Sequence, residues 1–299
     1  MGTRPSALAR WQTDWVIARL RAAWPNLTYR IQTFSTRGDD HPDQPLPELG
    51  GKGAFTGELE EALRRGEIDV AVHSLKDLEI EDAPGLTLGA ICARADPRDA
   101  LVTRDGRKLS DLPAGASTGT CSLRRTAQLL AVRPDLAIRP LRGNVDTRVR
   151  KALAGEYDAI VLAAAGLIRL GLEAHIAEYL PLAVMLPAPG QAALAVQCRA
   201  DDSWTLATLA PLDDSPTRAA VTAERAFLAA LGGGCAAPVA ALGQVTGEGA
   251  ERLIYLSGLV AAPDGSSLVR VQAVGPDPAA LGSLLAEQAL AQGAGELLA

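Results

Sequence analysis

Apolar residues recur along the chain with two periods, and these periods predict which segments are helices and which are strands. Residues 7–24 and 54–65 carry apolar side chains at helical spacing. Residues 27–34 alternate in the manner of a strand, and residues 68–72 form a short apolar run typical of a buried strand. Gly66 follows the second predicted helix and is suited to end it.

Helical and strand-like segments continue to alternate through residues 122–170, which predicts an α/β sheet with parallel strands. A short echo accompanies this alternation. Gly66-Glu-Ile-Asp-Val-Ala-Val resembles Gly155-Glu-Tyr-Asp-Ala-Ile-Val, and each follows a predicted helix. A chance match is one interpretation. The other is a pair of similar α/β domains with a site in the cleft between them.

The last third of the chain has a different pattern. A predicted helix at 215–230 is followed by strand-like runs at 238–245, 252–260 and 267–274, and then by a helix near 278–292. Asp264-Gly265 is a good hairpin turn between the last two runs. Consecutive strands followed by a helix predict a small α+β domain.

Composition restricts the possible functions. The 299 residues carry a net charge of -6, which argues against general nucleic-acid binding. The four cysteines are far apart without a CxxC pair, so we expect no metal site. The charged N-terminal segment lacks the apolar core of a signal peptide, and the longest uncharged stretches are interrupted by proline and glycine. We therefore expect a cytoplasmic protein.

Cys235 follows three consecutive glycines, Gly232 to Gly234, so its thiol is expected to be displayed on a loop. The alternative is an inert loop cysteine. A second candidate is Thr3-Arg4-Pro5-Ser6, ahead of the first helix, where a hydroxyl and a guanidinium suit an anion. Its alternative is an ordinary helix cap beside a solvated arginine.

Glycines at 50–53 surround a lysine and follow Thr36-Arg37-Gly38-Asp39. The spacing of a nucleotide-binding phosphate loop is not met, because Gly53 stands where that motif has a hydroxyl. Two interpretations remain for this segment: a mobile loop that closes over an anion, or a plain flexible connection. His73-Ser74-Leu75-Lys76-Asp77 ends a predicted strand, where α/β sheets place ligands. Asp77 is therefore a candidate working carboxylate, and His73 is interpreted as structural.

Residues 120–148 are the richest in candidate ligands. Two predicted strand-to-helix turns carry arginines together with hydroxyl or amide groups. Arginine forks bind carboxylates with two hydrogen bonds, and the absence of aromatic residues disfavours single-stranded nucleic acid. A solvated basic helix face is the alternative. The candidates in this segment are Thr120, Ser122, Arg124, Arg125, Arg142, Asn144 and Arg148.

The order and spacing of these motifs resemble the porphobilinogen deaminase family, from about residue 2 to the C-terminus. The matching motifs are Thr-Arg-x-Ser, Thr-Arg-Gly-Asp, Gly-Gly-Lys-Gly-x-Phe, His-Ser-Leu-Lys-Asp, Ser-Leu-Arg-Arg, Leu-Arg-Gly-Asn-Val-x-Thr-Arg and Gly-Gly-Cys. The resemblance implies an α/β fold of two periplasmic-binding-protein-like (type II) domains and a small C-terminal α+β domain. The implied boundaries are 1–92 with 190–212, 97–187, and 215–299.

The resemblance also implies a transferase that joins four porphobilinogen units into a linear tetrapyrrole with loss of ammonia. A dipyrromethane cofactor would be attached to Cys235 as a thioether, and its free α-carbon would attack an azafulvene formed from the substrate. Asp77 would stabilise the azafulvenium cation, and Phe55 would stack on a pyrrole. The implied groups for cofactor and substrate carboxylates are Arg4, Ser6, Lys52, Ser74, Lys76, Thr120, Ser122, Arg124, Arg125, Arg142, Asn144, Arg148 and Gln191.

This chain departs from the family pattern at a few positions. The chain opens at Met1-Gly2-Thr3, without the residues that normally build the first strand, so we expect either a misassigned start or a short strand at a sheet edge. Cys121 stands where a serine is common, and Ala192 replaces a glycine after Gln191. The family further implies a monomer whose product passes to uroporphyrinogen-III synthase. The rival hypotheses are a non-catalytic dicarboxylate-binding protein and a nucleotide-dependent transferase.

Overall fold

Two compact units make up the chain in a computed structural model, which describes residues 1–40, 56–233, 237–247 and 251–298. The first unit comprises Met1–Ala95 and Ala193–Arg218, and the second comprises Asp96–Ala192 and Ala219–Ala299. The chain therefore passes from one unit to the other three times.

Helices and strands alternate through most of both units. The strands are β1 (Gly2–Thr3), β2 (Gln32–Thr33), β3 (Val70–Ser74), β4 (Leu86–Ile91), β5 (Asp99–Thr103), β6 (Ser117–Gly119), β7 (Ala137–Arg139), β8 (Ala159–Ala163), β9 (Ile176–Tyr179), β10 (Leu194–Arg199), β11 (Val239–Thr246), β12 (Leu253–Ala261) and β13 (Leu268–Gly275). The helices are α1 (Ala7–Ala23), α2 (Arg37–Asp40), α3 (Gly57–Arg64), α4 (Leu123–Val132), α5 (Val145–Leu153), α6 (Ala164–Arg169), α7 (Ser203–Leu209), α8 (Ser215–Ala230), α9 (Pro278–Ala291) and α10 (Ala294–Leu298).

The first unit contains a five-stranded sheet in the order β2-β1-β3-β10-β4. Strand β1 runs parallel to β2 and β3, whereas β10 runs antiparallel to β3 and β4. The parallel strands predicted from the alternation of helices and strands are confirmed for β1, β2 and β3, and β10 adds an antiparallel strand that the alternation did not predict. This strand enters the sheet only after the chain has returned from the second unit, so no local helical crossover sets its direction.

The second unit repeats this arrangement with the order β7-β6-β8-β5-β9, in which β5 is the antiparallel strand. Each sheet contains four strands in chain order, β1 to β4 or β6 to β9, and one antiparallel strand, β10 or β5. Across both sheets the order is second, first, third, antiparallel strand, fourth. The echoed sequence segments lead into β3 and β8, which occupy equivalent positions. Two similar α/β domains, predicted from that echo, are confirmed.

The first helix is also confirmed, since α1 covers Ala7–Ala23 with Ser6 as its N-cap. The strand predicted at 27–34 is wrong in extent, because only Gln32–Thr33 is paired. Its neighbour β1 begins at Gly2 and offers two residues to pair with. Strand β1 lies between β2 and β3, so the expectation of an edge position is wrong as well.

The C-terminal segment forms an antiparallel sheet, β11-β12-β13, with the predicted helix α9 after it. Gly265 has a φ of +74°, as the predicted Asp264-Gly265 turn requires. Phe227 of α8 is fully buried and packs where a Cβ at Gly258 would otherwise lie. The α+β character predicted for this region is confirmed.

Candidate active site

In the first unit, the carboxyl ends of β1 and β3 bring two of the predicted motifs together. These strands are parallel neighbours with Gly2 opposite Ala71. The segment 4–6 leaves β1 and the segment 74–77 ends β3 at the same edge of the sheet. Buried Gln12 of α1 donates a hydrogen bond from Nε2 to the Ser74 hydroxyl over 2.8 Å, which joins α1 to the end of β3.

Asp77 lies on a single 3-10 turn, Leu75–Asp77, directly after β3. Leu75 anchors the turn, because its side chain is fully buried and its N–H donates to the carbonyl of Ala193 over 3.0 Å. The side chain of Lys76 is half-buried, and that of Asp77 is exposed. A rigid turn therefore displays the Asp77 carboxylate at the ligand edge of the sheet.

Arg4 and Ser6 flank the start of α1. The Ser6 hydroxyl accepts the N–H of Ala9 over 3.3 Å, so it acts as a helix cap, and Arg4 is half-buried. His73, behind this edge, is 5 % exposed. Burial lowers the pKa of His73 to about 4, with a smaller lowering from the charge of Arg4. The ring is therefore neutral at physiological pH, which suits the structural role expected for it.

In the second unit, the adjacent parallel strands β6 and β7 bring the turns after them together. The N–H of Thr120 donates to the carbonyl of Arg139 over 3.0 Å, and the Cys121 thiol donates to the carbonyl of Leu141 over 3.3 Å. The Ser122 hydroxyl caps α4 by accepting the N–H of Arg125. The thiol of Cys121 thus makes a local contact within this edge.

The turn after β7 contributes Arg142, Asn144 and Arg148. Asn144 is the N-cap of α5 but makes no side-chain cap hydrogen bond, and its side chain is exposed. Arg148 donates from Nε to the carbonyl of Gly143 over 2.6 Å. The start of α5 therefore brings together a positive helix end, an exposed amide and the guanidinium groups of Arg142 and Arg148, which are all groups that bind anions.

Arg124 and Arg125 lie deeper than the sequence suggested. They are 4 % and 7 % exposed, and both form ion pairs with the fully buried Asp99, at 2.8 and 2.7 Å. Arg124 also donates from Nη1 to the carbonyl of Leu186, and Arg125 donates from Nη1 to that of Val161. All three nitrogens of Arg125 are used within the fold.

Gln191 joins the same cluster. Its Nε2 donates to the carbonyl of Pro97 over 2.7 Å and to Asp99 Oδ1 over 3.1 Å. Ala192 has a φ of +71°, and it is the single non-glycine residue with positive φ in the part of the chain that the structure describes. Arg169 donates to its carbonyl over 2.7 Å. A residue that strains the backbone thus stands where the family pattern has glycine.

Sequence reasoning missed two buried carboxylates. Asp99 lies 25 residues from Arg124 in the chain, and no local motif links them. Glu224, fully buried, accepts the N–H groups of Gly190 and Gly243, each over 2.7 Å. A lone acidic residue on an apolar helix face was the available signal for Glu224. Through these two hydrogen bonds, Glu224 connects the loop before Gln191 to the C-terminal sheet.

Three predicted site residues, Lys52, Phe55 and Cys235, lie outside the described residues. Within the described ranges, no three metal-ligating side chains cluster. None of the helices in those ranges combines the length and apolar character that crossing a membrane requires.

Comparison with known proteins identifies the family. The family model described as "Porphobilinogen deaminase, dipyromethane cofactor binding domain" matches residues 1–207, and the model "Porphobilinogen deaminase, C-terminal domain" matches residues 218–291. The porphobilinogen deaminase of Roseiflexus castenholzii is 54% identical over 100% of this chain and 98% of its own length. That of Brevibacillus brevis is 51% identical over 100% and 96%. Likeness to solved structures is weaker, as with a putative methionine-binding lipoprotein from Bacillus subtilis (13% identity, TM-score 0.42, 72% of this chain and 92% of that one). The chain therefore belongs to the porphobilinogen deaminase family.

Proposed function

We propose that this chain is a hydroxymethylbilane synthase, a transferase that joins four porphobilinogen molecules into a linear tetrapyrrole and releases ammonia. The observation that carries the proposal is the exposed carboxylate of Asp77, held on a rigid turn at the ligand edge of the first sheet beside Lys76. Loss of ammonia from the substrate leaves a cation, and a fixed carboxylate stabilises developing positive charge. Asp77 can also accept a hydrogen bond from a pyrrole N–H or move a proton.

The second unit fits a cofactor that carries several carboxylates. The exposed amide of Asn144, the N-termini of α4 and α5, and the guanidinium of Arg142 are all anion-binding groups. The matched family model is described by its dipyrromethane cofactor, whose two pyrroles bear four carboxylates. When bound, that group supplies the pyrrole α-carbon to which substrate units are joined. Cys235 is the proposed attachment residue.

The remaining predicted ligands divide into two roles. Arg4, Ser6, Ser74 and Lys76 would hold substrate carboxylates at the first sheet, together with Lys52. Thr120, Ser122, Arg142 and Arg148 would act at the second sheet. Arg125 would work through Asp99 as a positioning residue, since its nitrogens are already used. Arg124 keeps its Nη2 for an anion, because that nitrogen meets no acceptor among the residues described here.

The proposal extends to setting and partners. The protein would act as a monomer in the cytoplasm, with porphobilinogen as its substrate and uroporphyrinogen-III synthase as the enzyme that receives its product. Phe55 would stack on a pyrrole ring. Gln191 would hold the segment by which the polypeptide returns to the first unit, beside the bound pyrrole chain. Neither a nucleic acid nor a membrane takes part.

Turnover of porphobilinogen tests the proposal directly. Asp77→Ala should lower kcat by about 10²–10³-fold, the usual effect of removing one preorganised electrostatic group, while circular dichroism stays unchanged. Asp82→Ala is the matched control, because Asp82 is another exposed carboxylate nearby in the chain. Near-normal turnover by Asp77→Ala would overturn the catalytic assignment. No turnover by the wild type, with tight binding of a dicarboxylate or a nucleotide instead, would favour one of the rival hypotheses.

A further inference from the structure

Among the residues that the structure describes, the guanidinium of Arg124 is held through a single nitrogen. Its Nη1 donates to Asp99 Oδ2 over 2.8 Å and to the carbonyl of Leu186 over 2.7 Å. This nitrogen carries two hydrogens, so both of them are used. Because a guanidinium is planar, two acceptors on Nη1 fix the plane of the group and the direction of Nη2. The direction of Nη2 therefore depends on the position of the Leu186 carbonyl as well as on Asp99.

Gln128 holds the Leu186 carbonyl in place. It lies one helical turn after Arg124 on α4 and is 1 % exposed. Its Nε2 donates to the Leu186 carbonyl over 3.0 Å, and its Oε1 accepts the N–H of Leu186 over 2.8 Å. One buried amide thus binds both backbone groups of one residue. The Leu186 carbonyl is the acceptor that Gln128 and Arg124 share.

The segment around Leu186 has attachments that do not depend on Gln128. The carbonyl of the next residue, Pro187, accepts the N–H of Ala241 over 3.0 Å. The side chain of Met185 is fully buried, and its sulfur lies 3.5 Å from Gln128 Nε2, so an apolar side chain at position 128 would meet an apolar neighbour. Replacement of Gln128 by methionine should therefore free the Leu186 carbonyl while the segment stays packed.

We propose that Gln128 is a positioning residue for the reaction, which fixes Leu186 so that Nη2 of Arg124 points at a carboxylate of the bound pyrrole chain. The inference rests on the proposed function, because that function supplies the carboxylate. Gln128 is buried and acts only through Leu186 and Arg124. A charge-assisted hydrogen bond depends on direction, so a rotated guanidinium loses the bond although its charge is unchanged.

A double-mutant cycle on kcat/KM for porphobilinogen tests the proposal. Gln128→Met in otherwise wild-type protein should lower kcat/KM at least about fivefold, since a misdirected guanidinium loses part of a charge-assisted bond. Lysine at position 124 keeps the charge but has no planar fork. In an Arg124→Lys background, Gln128→Met should therefore lower kcat/KM by less than about twofold. Equal effects in both backgrounds would overturn the proposal, because a purely structural role acts on both alike.

Leu129→Val is the matched control. Leu129 is a fully buried neighbour of Gln128 on α4, and this change removes only apolar packing. It should lower the melting temperature but leave kcat/KM within about twofold of the wild-type value. A loss of kcat/KM as large as that of Gln128→Met would indicate a general effect of a loosened helix and would overturn the proposal.

A crystal structure of Gln128→Met keeps this test separate from the proposed function, because it needs no turnover. We expect the Leu186 carbonyl to be displaced and the Arg124 guanidinium to be turned from its wild-type plane. An unchanged guanidinium would overturn the proposal even if turnover fell. A turned guanidinium in the variant, with no turnover of porphobilinogen by the wild type, would refute the proposed function and still support the orienting role of Gln128.

Discussion

Replacement of Asp99 by asparagine leaves two buried guanidinium groups without a counter-charge. Asp99 is fully buried and accepts hydrogen bonds from Arg124, Arg125 and Gln191 at 2.7–3.1 Å. Removal of one member of a buried ion cluster costs about 3–5 kcal/mol, because the remaining charge stays desolvated. For a domain of this size, that loss lowers the melting temperature by about 6–20 °C.

Urea unfolding of wild type and Asp99→Asn at pH 7 measures this cost. Asp105→Asn is the matched control, because Asp105 pairs with Arg107 at 2.9 Å on the surface, where such pairs contribute about 0–1 kcal/mol. A second variant, Asp99→Leu with Arg124→Met and Arg125→Met, removes all three charges. It should recover much of the loss in stability, since an apolar replacement leaves no unpaired buried charge.

The stability difference between wild type and Asp99→Asn should also depend on pH in a direction that can be worked out. The two arginines hold the pKa of Asp99 far below its usual range, despite the opposing effect of burial. The stabilisation is therefore complete above the unfolded pKa of about 3.9 and is lost as pH falls below it. The difference between wild type and Asp99→Asn should be constant from pH 5 to 8 and shrink at lower pH. An Asp99→Asn protein as stable as the wild type at pH 7 would refute this reasoning.

Three further predictions concern other buried or strained residues. Burial lowers the pKa of His73 to about 4, so the stability that depends on its neutral ring is fully present above about pH 6.5, and about 3 kcal/mol is lost as pH falls towards 4. Unfolding of His73→Leu should lack this part of the pH dependence, and an unchanged pH profile would contradict the prediction. Ala192→Gly should raise the unfolding free energy by about 0.5–1 kcal/mol, because relief of positive φ exceeds the entropy cost of glycine, and a loss of stability on urea unfolding would count against it. Glu224→Ala leaves the N–H groups of Gly190 and Gly243 without their acceptor, so chemical denaturation should show a loss of at least about 2 kcal/mol in the free energy of unfolding. An unchanged free energy of unfolding would contradict this and would mean that water replaces the carboxylate.

Much of the first half of the fold could be predicted from local patterns. The helix α1 follows from apolar spacing and the Ser6 cap, and the echo at Gly66 and Gly155 predicted a repeated domain. The candidate residues Asp77 and Asn144 stand at the carboxyl ends of strands, as parallel neighbours require. These features depend on short sequence windows, which is why they could be read without a structure.

Other features depend on contacts between distant segments. Strand β10 pairs with β3 across more than a hundred residues, and its antiparallel direction has no local signal. Asp99 meets Arg125 in the same way, so the sequence suggested free arginines where the structure has a buried cluster. The strand predicted at 27–34 shows the converse. Its alternation is clear, but only Gln32–Thr33 pairs with β1.

We propose that this chain carries a pyrrole cofactor on Cys235 and extends it with porphobilinogen. The most direct measurement is the intact mass of the purified protein beside that of Cys235→Ala. We expect a mass excess of two linked pyrrole units in the wild type, or its appearance on incubation with porphobilinogen, and no such excess in the variant. An unmodified wild type after that incubation, or an equal excess in Cys235→Ala, would contradict it.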